Sequence, residues 1–370
     1  MKKVLILTTS TGQGHNQAAN SLIQTLTAAG FECVKRDFLA NTDKLFNKII
    51  VMGYEIFASL FPKTYGFFYK LTDNNFSNKV TFSFFFNVQR KLLKLIEKEN
   101  PDIIIATHPF TVNIICKLKA KGLNIPFISV VTDFKAHYTY IHPLVDSYIT
   151  ASESTKKFLI EEGIKAEIIY PIGIPIKENF YEKDNNINFV KDKEYFSLLL
   201  MSGSMGLTNI SYVLDELLKN PNKLRITVIC GNNKKLRKSL LEKCQKNYPN
   251  KKIHIVGFSN DIASFMEYSD VLISKPGGLT VTEAIVKNIP LIIPFVIPGQ
   301  ETENAELLES HGYAYYIKDY KEINDAINKL IYEPETLSKM KENLKTLSNS
   351  YSPTSIIDIV NNLIKDKNNK

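Results

Sequence analysis

An apolar run, Val4–Thr8, leads into Ser10-Thr11-Gly12-Gln13-Gly14-His15, and apolar residues then recur at helical spacing (Ala18, Ala19, Leu22, Ile23, Leu26). A glycine-rich strand-to-helix turn lets main-chain amides at a helix N-terminus approach an anion. The turn is not a dinucleotide fingerprint, because Ala18 stands roughly where a third glycine belongs, nor a phosphate loop, because no Gly-Lys-Ser/Thr follows. His15 adds a group that titrates near neutrality at the carboxyl end of a strand; capping or packing is the plain alternative for it. Two more polar groups end apolar runs: His108 after Ile103–Thr107, and Asp133 after Phe127–Thr132. The carboxyl ends of strands in an open parallel sheet line one crevice. His15, His108 and Asp133 are therefore expected to converge although they are far apart in sequence.

The second half repeats the theme. Leu198–Met201 runs into Ser202-Gly203-Ser204-Met205-Gly206, ahead of a helical pattern at Val213, Leu214, Leu217 and Leu218. Amides of this turn and the hydroxyls of Ser202 and Ser204 could hold a phosphate. It is not a nucleophile elbow, since Ser202 replaces the first glycine. The densest signal is Ser274-Lys275-Pro276-Gly277-Gly278-Leu279-Thr280-Val281-Thr282-Glu283-Ala284, soon followed by Pro298-Gly299-Gln300-Glu301 and Asn304. The amides of Gly278, Leu279 and Thr280 would open a helix able to face a diphosphate. Glu283 lies one turn in, where a carboxylate can accept two hydrogen bonds from a ribose diol. Turn chemistry explains the glycines, but not glycine, hydroxyl and carboxylate in this order.

The elements that must position these groups are strand-like runs alternating with helical stretches. Besides the runs already named, they are Ser147–Ala151, Phe196–Met201, Arg225–Cys230, Ile253–Val256, Val271–Ser274 and Pro290–Pro294. Such runs are apolar on both faces, as parallel strands covered by helices require. The alternation predicts an α/β chain of two doubly wound, Rossmann-like domains, and 370 residues are enough for both cores. The rigid Pro-Ile-Gly-Ile-Pro stretch and the polar, aperiodic Lys183–Lys193 place the boundary near Tyr170–Tyr195. This gives an N-terminal domain of 1–170 and a C-terminal domain of 171–352. Apolar Ile356, Ile357, Ile359, Val360 and Leu363 predict a final helix within 353–370.

Cys33, Cys116, Cys230 and Cys244 show no Cys-x-x-Cys spacing, which excludes a zinc cluster or a disulfide framework. No charge-free apolar run approaches the roughly 20 residues a bilayer span needs, and the short apolar stretch of the N-terminus reads as a buried strand rather than a signal peptide. The net charge of +8 is uneven, with a surplus of six cations in residues 1–170 and of two in the rest. That asymmetry favours an anionic partner, a lysine-rich background composition being the plain alternative. Between Phe46 and Phe86, 13 of 41 residues are Phe or Tyr, with Lys48, Lys63, Lys70 and Lys79 among them and Glu55 and Asp73 the only acids. Rings and lysines together suit the bilayer interface. Phe57, Phe61, Lys63, Tyr65, Phe67 and Phe68 are the candidate membrane or acceptor contacts, a helical subdomain with an aromatic core the competing reading. Nucleic acid is disfavoured, since no binding motif accompanies the segment.

Three motifs together, Gly-x-Gly-His with two alanines soon after, SKPGGLTxxEA and PGQExxN, resemble a family of UDP-sugar transferases. It includes bacterial processive diacylglycerol β-glucosyltransferases and plant monogalactosyldiacylglycerol synthases. HPLVDSYITASESTKKFLIEEGI and PIGIPI also resemble the lipid branch; Gln13, where most members carry Gly or Ala, departs from it. The resemblance implies a GT-B fold, with two Rossmann-like halves facing a cleft and the last helix crossing back to the first half. It implies a UDP-hexose site in the C-terminal half. Gly203 and Ser204 would lie near the phosphates, backbone at Gly257–Phe258 near uracil, and Gly277, Gly278, Leu279 and Thr280 on the diphosphate, with Gly14 of the N-terminal half a further donor contact. Glu283 would meet the ribose, and Gln300 and Glu301 the sugar. The acceptor would be diacylglycerol or a glycosyldiacylglycerol, reached from the cytoplasm at the inner face of an anionic membrane. The expected reaction is inverting transfer of a hexose, glucose first, with His15 or Asp133 as base. No cofactor is expected, because the chain has no Asp-x-Asp metal motif. The alternatives are another lipid acceptor such as a peptidoglycan precursor, a UDP-sugar sensor without turnover, and a UDP-sugar epimerase.

Overall fold

The computed structural model describes residues 1–9, 13–38, 86–183, 193–201, 209–246 and 248–368. By its internal contacts the chain forms two units. One comprises Met1–Lys177, Ile297–Gln300 and Ser350–Lys370, the other Glu178–Val296 and Glu301–Asn349.

The first unit begins with β1 (Lys3–Thr8), α1 (Gln13–Ala28) and β2 (Glu32–Asp37), then α2 (Phe86–Glu99), β3 (Ile103–Ala106) and α3 (Pro109–Lys119). It continues through β4 (Phe127–Val130), β5 (Ser147–Ile149), α4 (Glu153–Glu161) and β6 (Ile169–Tyr170). The six strands form one parallel sheet in the order β2-β1-β3-β4-β5-β6. Alternation along each strand feeds two separate cores. Leu5, Leu7, Ile104 and Ala106 face α2 and α3 through Leu92, Ile96, Val112 and Ile115. On the other face Val4, Ile6, Ile103 and Ile105 pack with Leu22 and Leu26 of α1.

The second unit holds β7 (Phe196–Met201), α5 (Asn209–Lys219), β8 (Leu224–Ile229), α6 (Lys234–Lys243), β9 (Lys251–Val256) and α7 (Ile262–Glu267). After these come β10 (Val271–Ile273), α8 (Gly278–Val286), β11 (Leu291–Ile293), α9 (Gln300–Ser310), β12 (Ala314–Tyr316), α10 (Ile323–Tyr332) and α11 (Pro334–Ser348). Its parallel sheet runs β12-β11-β10-β7-β8-β9. The last helix, α12 (Ser355–Asn368), belongs to the first unit. Ile356, Ile359, Val360 and Ile364 make one buried stripe on the same core as α1. Each such side chain removed from water contributes about 1.5–3 kcal/mol, which is why the chain's end returns there. The Pro-Ile-Gly-Ile-Pro stretch meets it at Gly173, whose φ of +91° suits glycine and where any Cβ would lie 2.8 Å from the Tyr351 ring.

The amino ends of both sheets are closed by one repeated device. Asp102, just before β3, accepts the Lys3 amide of β1 at 2.6 Å and donates its own amide to the Lys3 carbonyl at 2.9 Å. Asp146 makes the same pair with Phe127, at 2.7 and 3.0 Å, and Asp270 with Ser197, at 2.9 and 2.7 Å. Each aspartate thus extends the ladder by one side-chain bond and pins the register of neighbouring strands. We expect Asp270→Ala to strand the amide of buried Ser197 and to cost about 1–3 kcal/mol in chemical denaturation. An unchanged denaturation midpoint would contradict the latch.

Candidate active site

In the first sheet the chain leaves β1 for β2 on one side and comes back to β3 on the other. Strand order reverses between β1 and β3, and crevices for ligands open at the carboxyl ends of such a pair. His15, in the first turn of α1 after β1, and His108, which caps α3 after β3, meet there with ring centroids 4.4 Å apart at 61°. Asp133, beyond β4 on the next strand, is 6% exposed. His15 and His108 meet as expected, because β1 and β3 are neighbours, and Asp133 follows β4, the next strand of the sheet.

The hydrogen bonds fix the protons. His15 Nδ1 lies 2.7 Å from the Thr107 carbonyl oxygen. A carbonyl only accepts, so Nδ1 carries the hydrogen and the neutral ring's lone pair is on Nε2. Thr107 returns the contact, its hydroxyl donating to the His15 carbonyl at 3.1 Å. His108 takes the opposite tautomer, because its Nδ1 accepts the Phe110 amide at 3.2 Å. Burial pushes the His15 imidazole down to about 4 against a weaker opposing pull from the Thr107 carbonyl. Burial, and then the neighbouring His15, hold His108 well below its ordinary range. Both rings are neutral at pH 7. The Thr132 hydroxyl stands 3.1 Å from His15 Nδ1 and 2.9 Å from the Tyr140 hydroxyl, which reaches Asp133 Oδ2 at 3.4 Å. Thr107, Thr132 and Tyr140 were not among the sequence candidates.

In the second sheet the order reverses between β7 and β10. β10 ends at Ile273, and Ser274–Gly277 carry the chain into α8. Gly277 is extended (φ −67°, ψ 137°), and its carbonyl accepts the Val281 amide at 2.9 Å. The amides of Gly278, Leu279 and Thr280 therefore lie in the first turn, where a helix has donors without intrahelical partners. Glu283 is one turn further on, half-buried. The turn is gripped from α9. Glu301 pairs with Lys275 Nζ, and buried Asn304 donates to the Pro276 carbonyl at 3.2 Å. Glu301 and Asn304 thus hold Lys275 and Pro276, just ahead of Gly-Gly-Leu-Thr, a contact that spacing alone does not predict. Gln300 opens α9, half-exposed, and Phe258, just past β9, is 65% exposed.

Gly14 lies in the first turn of α1. Gly203, Ser204 and the aromatic candidates Phe57, Phe61, Lys63, Tyr65, Phe67 and Phe68 fall outside the described residues. Among the described residues no cluster of His, Cys, Asp or Glu could hold a metal ion. Nor is any helix among them long and apolar enough to cross a membrane.

Two doubly wound halves, each with its strand order reversing once, are the architecture of GT-B glycosyltransferases. Residues 15–176 match the family model for monogalactosyldiacylglycerol (MGDG) synthase, and residues 197–353 match the glycosyltransferase family 28 C-terminal domain. The processive diacylglycerol beta-glucosyltransferase of Bacillus pumilus is 33% identical over 378 aligned positions, covering 100% of this chain and 97% of its own. The chain belongs to this family of processive diacylglycerol beta-glucosyltransferases. Among solved structures, S. aureus MnaA with UDP superposes with a TM-score of 0.64 at 14% identity, covering 100% of this chain and 97% of its own. MurG of Acinetobacter baumannii gives 0.63 at 15% identity, covering 99% and 100%. Both share the fold.

The tautomer and the depressed basicity of His15 can be read directly. In heteronuclear NMR its imidazole should carry hydrogen on Nδ1 and titrate near 4. Between pH 6.5 and 4 the unfolded chain then binds a proton there that the folded chain refuses, so stability falls as pH falls through this window and is full above it. His15→Gln should flatten that decline, and a titration near 6.5 would contradict the assignment.

Proposed function

We propose that this chain moves glucose from UDP-glucose to diacylglycerol in one inverting displacement. The acceptor hydroxyl attacks the anomeric carbon of the α-linked donor. As the new C–O bond forms, the bond to the diphosphate oxygen breaks and its electron pair leaves with UDP, giving the β-glycoside. The hydroxyl's proton goes to His15 Nε2. The observation that carries this reading is the hydrogen bond from His15 Nδ1 to the Thr107 carbonyl. It orients a neutral imidazole whose second nitrogen is free of hydrogen. An alcohol is too weak a nucleophile without such a base.

On the donor side, charge grows on the departing diphosphate. Amides of Gly278, Leu279 and Thr280, aimed by the α8 N-terminus and held by Glu301 and Asn304, are placed to stabilise it without reorganising. Glu283 takes the ribose hydroxyls, Gln300 and Glu301 the sugar, and main chain near Phe258 the uracil; Gly203 and Ser204 complete the phosphate contacts. In this reading the amides do the work a metal does elsewhere, and no divalent ion takes part.

Diacylglycerol resides in a bilayer, so the enzyme must reach it from the surface. The aromatic and basic Phe46–Phe86 stretch is the proposed membrane contact. It is continued by α2, whose Arg90, Lys91, Lys94 and Lys98 are exposed. Each cation near an anionic leaflet contributes about 1 kcal/mol, enough in sum for reversible, peripheral attachment at the cytoplasmic face.

His15→Gln should lower kcat by about 10²–10⁴ with little change in KM for UDP-glucose; near-wild-type turnover would remove the histidine from the mechanism. A chelator should leave the rate unchanged, and a loss restored by added Mg²⁺ would contradict the amide-only account. Sedimentation with vesicles containing phosphatidylglycerol should pull the protein down at low salt and release it at high salt. Equal binding to neutral vesicles would count against the electrostatic contact.

A further inference from the structure

Asp133 and His15 are joined by two buried hydroxyls, those of Tyr140 and Thr132. His15 Nδ1–H points to the Thr107 carbonyl, with Thr132 Oγ1 close by as a second acceptor. The Thr132 hydroxyl is then free to donate to Tyr140 Oη at 2.9 Å, and Tyr140 donates to Asp133 Oδ2 at 3.4 Å. Tyr140 is 1% exposed, Thr132 4% and Asp133 6%. Burying three polar groups costs free energy unless each is paired, and an apolar trio would have filled the same space.

Tyr140 is itself held from several sides. It ends a tight turn, Tyr138–Tyr140, capped by His137, whose Nδ1 accepts the Thr139 amide at 3.1 Å. Asn113 of α3 donates to the Thr139 carbonyl at 3.4 Å, and the Thr132 amide reaches Tyr140 Oη at 3.5 Å. Burial and the nearby Asp133 keep the phenol protonated far above its usual range, so it remains a donor at working pH.

We propose that Tyr140 and Thr132 are positioning residues for the transfer reaction, through which Asp133 orients the His15 imidazole and stabilises it as it gains the acceptor's proton. The inference rests on the base role given to His15. It makes histidine and aspartate parts of one unit rather than rival bases. The two hydroxyls carry the aspartate's influence to the imidazole.

The test is a set of variants assayed with UDP-glucose and diacylglycerol in mixed vesicles. Tyr140→Phe and Thr132→Val should each lower kcat about 10- to 100-fold, the worth of one hydrogen bond to a charged group. KM for UDP-glucose should not move, because neither residue lies on the donor side. Thr132→Ser, which keeps the hydroxyl, should recover most of the rate lost in Thr132→Val. In an Asp133→Asn background Tyr140→Phe should add no further loss. A folded Tyr140→Phe enzyme within twofold of wild-type kcat, or losses that multiply in the double variant, would overturn the proposal. His15→Gln assayed alongside separates the two levels. A slow His15→Gln with a fast Tyr140→Phe overturns only the linkage, whereas a fast His15→Gln overturns the base and the linkage together.

Discussion

A helix that starts with glycine leaves its first amides with nothing of its own to bind. At α8 that is the constraint on which the proposed donor site depends. Gly277 brings no capping side chain, the helix begins at Gly278, and it follows the carboxyl end of β10 in a parallel sheet. Filling its first amides with an intrahelical or side-chain acceptor would stabilise the protein and close the site. The chain instead satisfies the turn from below: Lys275 is paired with Glu301 and the Pro276 carbonyl with Asn304. The loop's shape is thereby fixed while its amides stay available, which is how electrostatic preorganisation avoids a reorganisation cost when charge develops.

The two ends of each sheet divide labour. At the amino ends, aspartates 102, 146 and 270 complete the ladders with reciprocal bonds. At the carboxyl ends, where strand order reverses, lie His15 with His108 in one unit and the opening turn of α8 in the other. The halves solve their tasks with different chemistry. The first uses side chains in a buried polar network, where low dielectric strengthens each bond and keeps His15 neutral. The second uses main chain, which suits a polyanionic group that needs several donors in a small space. The proposed reaction asks for that contrast: a proton acceptor from the first unit and donors for a charged leaving group from the second.

Much of this was legible from residue order, for reasons that also explain the gaps. Central strands such as β1, β3 and β7 are covered on both faces and so appear as unbroken apolar runs. β2 (Glu-Cys-Val-Lys-Arg-Asp), two-residue β6 and three-residue β12 are sheet edges; β2 is polar and partly solvated, and the other two are too short to show an apolar run. His15, His108 and Asp133 could be placed together because each ends a strand and adjacent strands share a crevice. Thr132 and Tyr140 could not, since their contact depends on how a loop returns over β4, and no spacing rule encodes it. Glu301 shows the same limit. Its motif marked it as a donor-site residue, but its partner Lys275 lies 26 positions away.

The central claim, that the diphosphate rests on main-chain donors of α8, can be tested without turnover. In transverse-relaxation-optimised NMR of amide-labelled protein, adding UDP should move the Gly278, Leu279 and Thr280 amide resonances downfield, together and more than those elsewhere in the second unit. If UDP binds while these three signals stay in place, or does not bind at all, the account is wrong at its base.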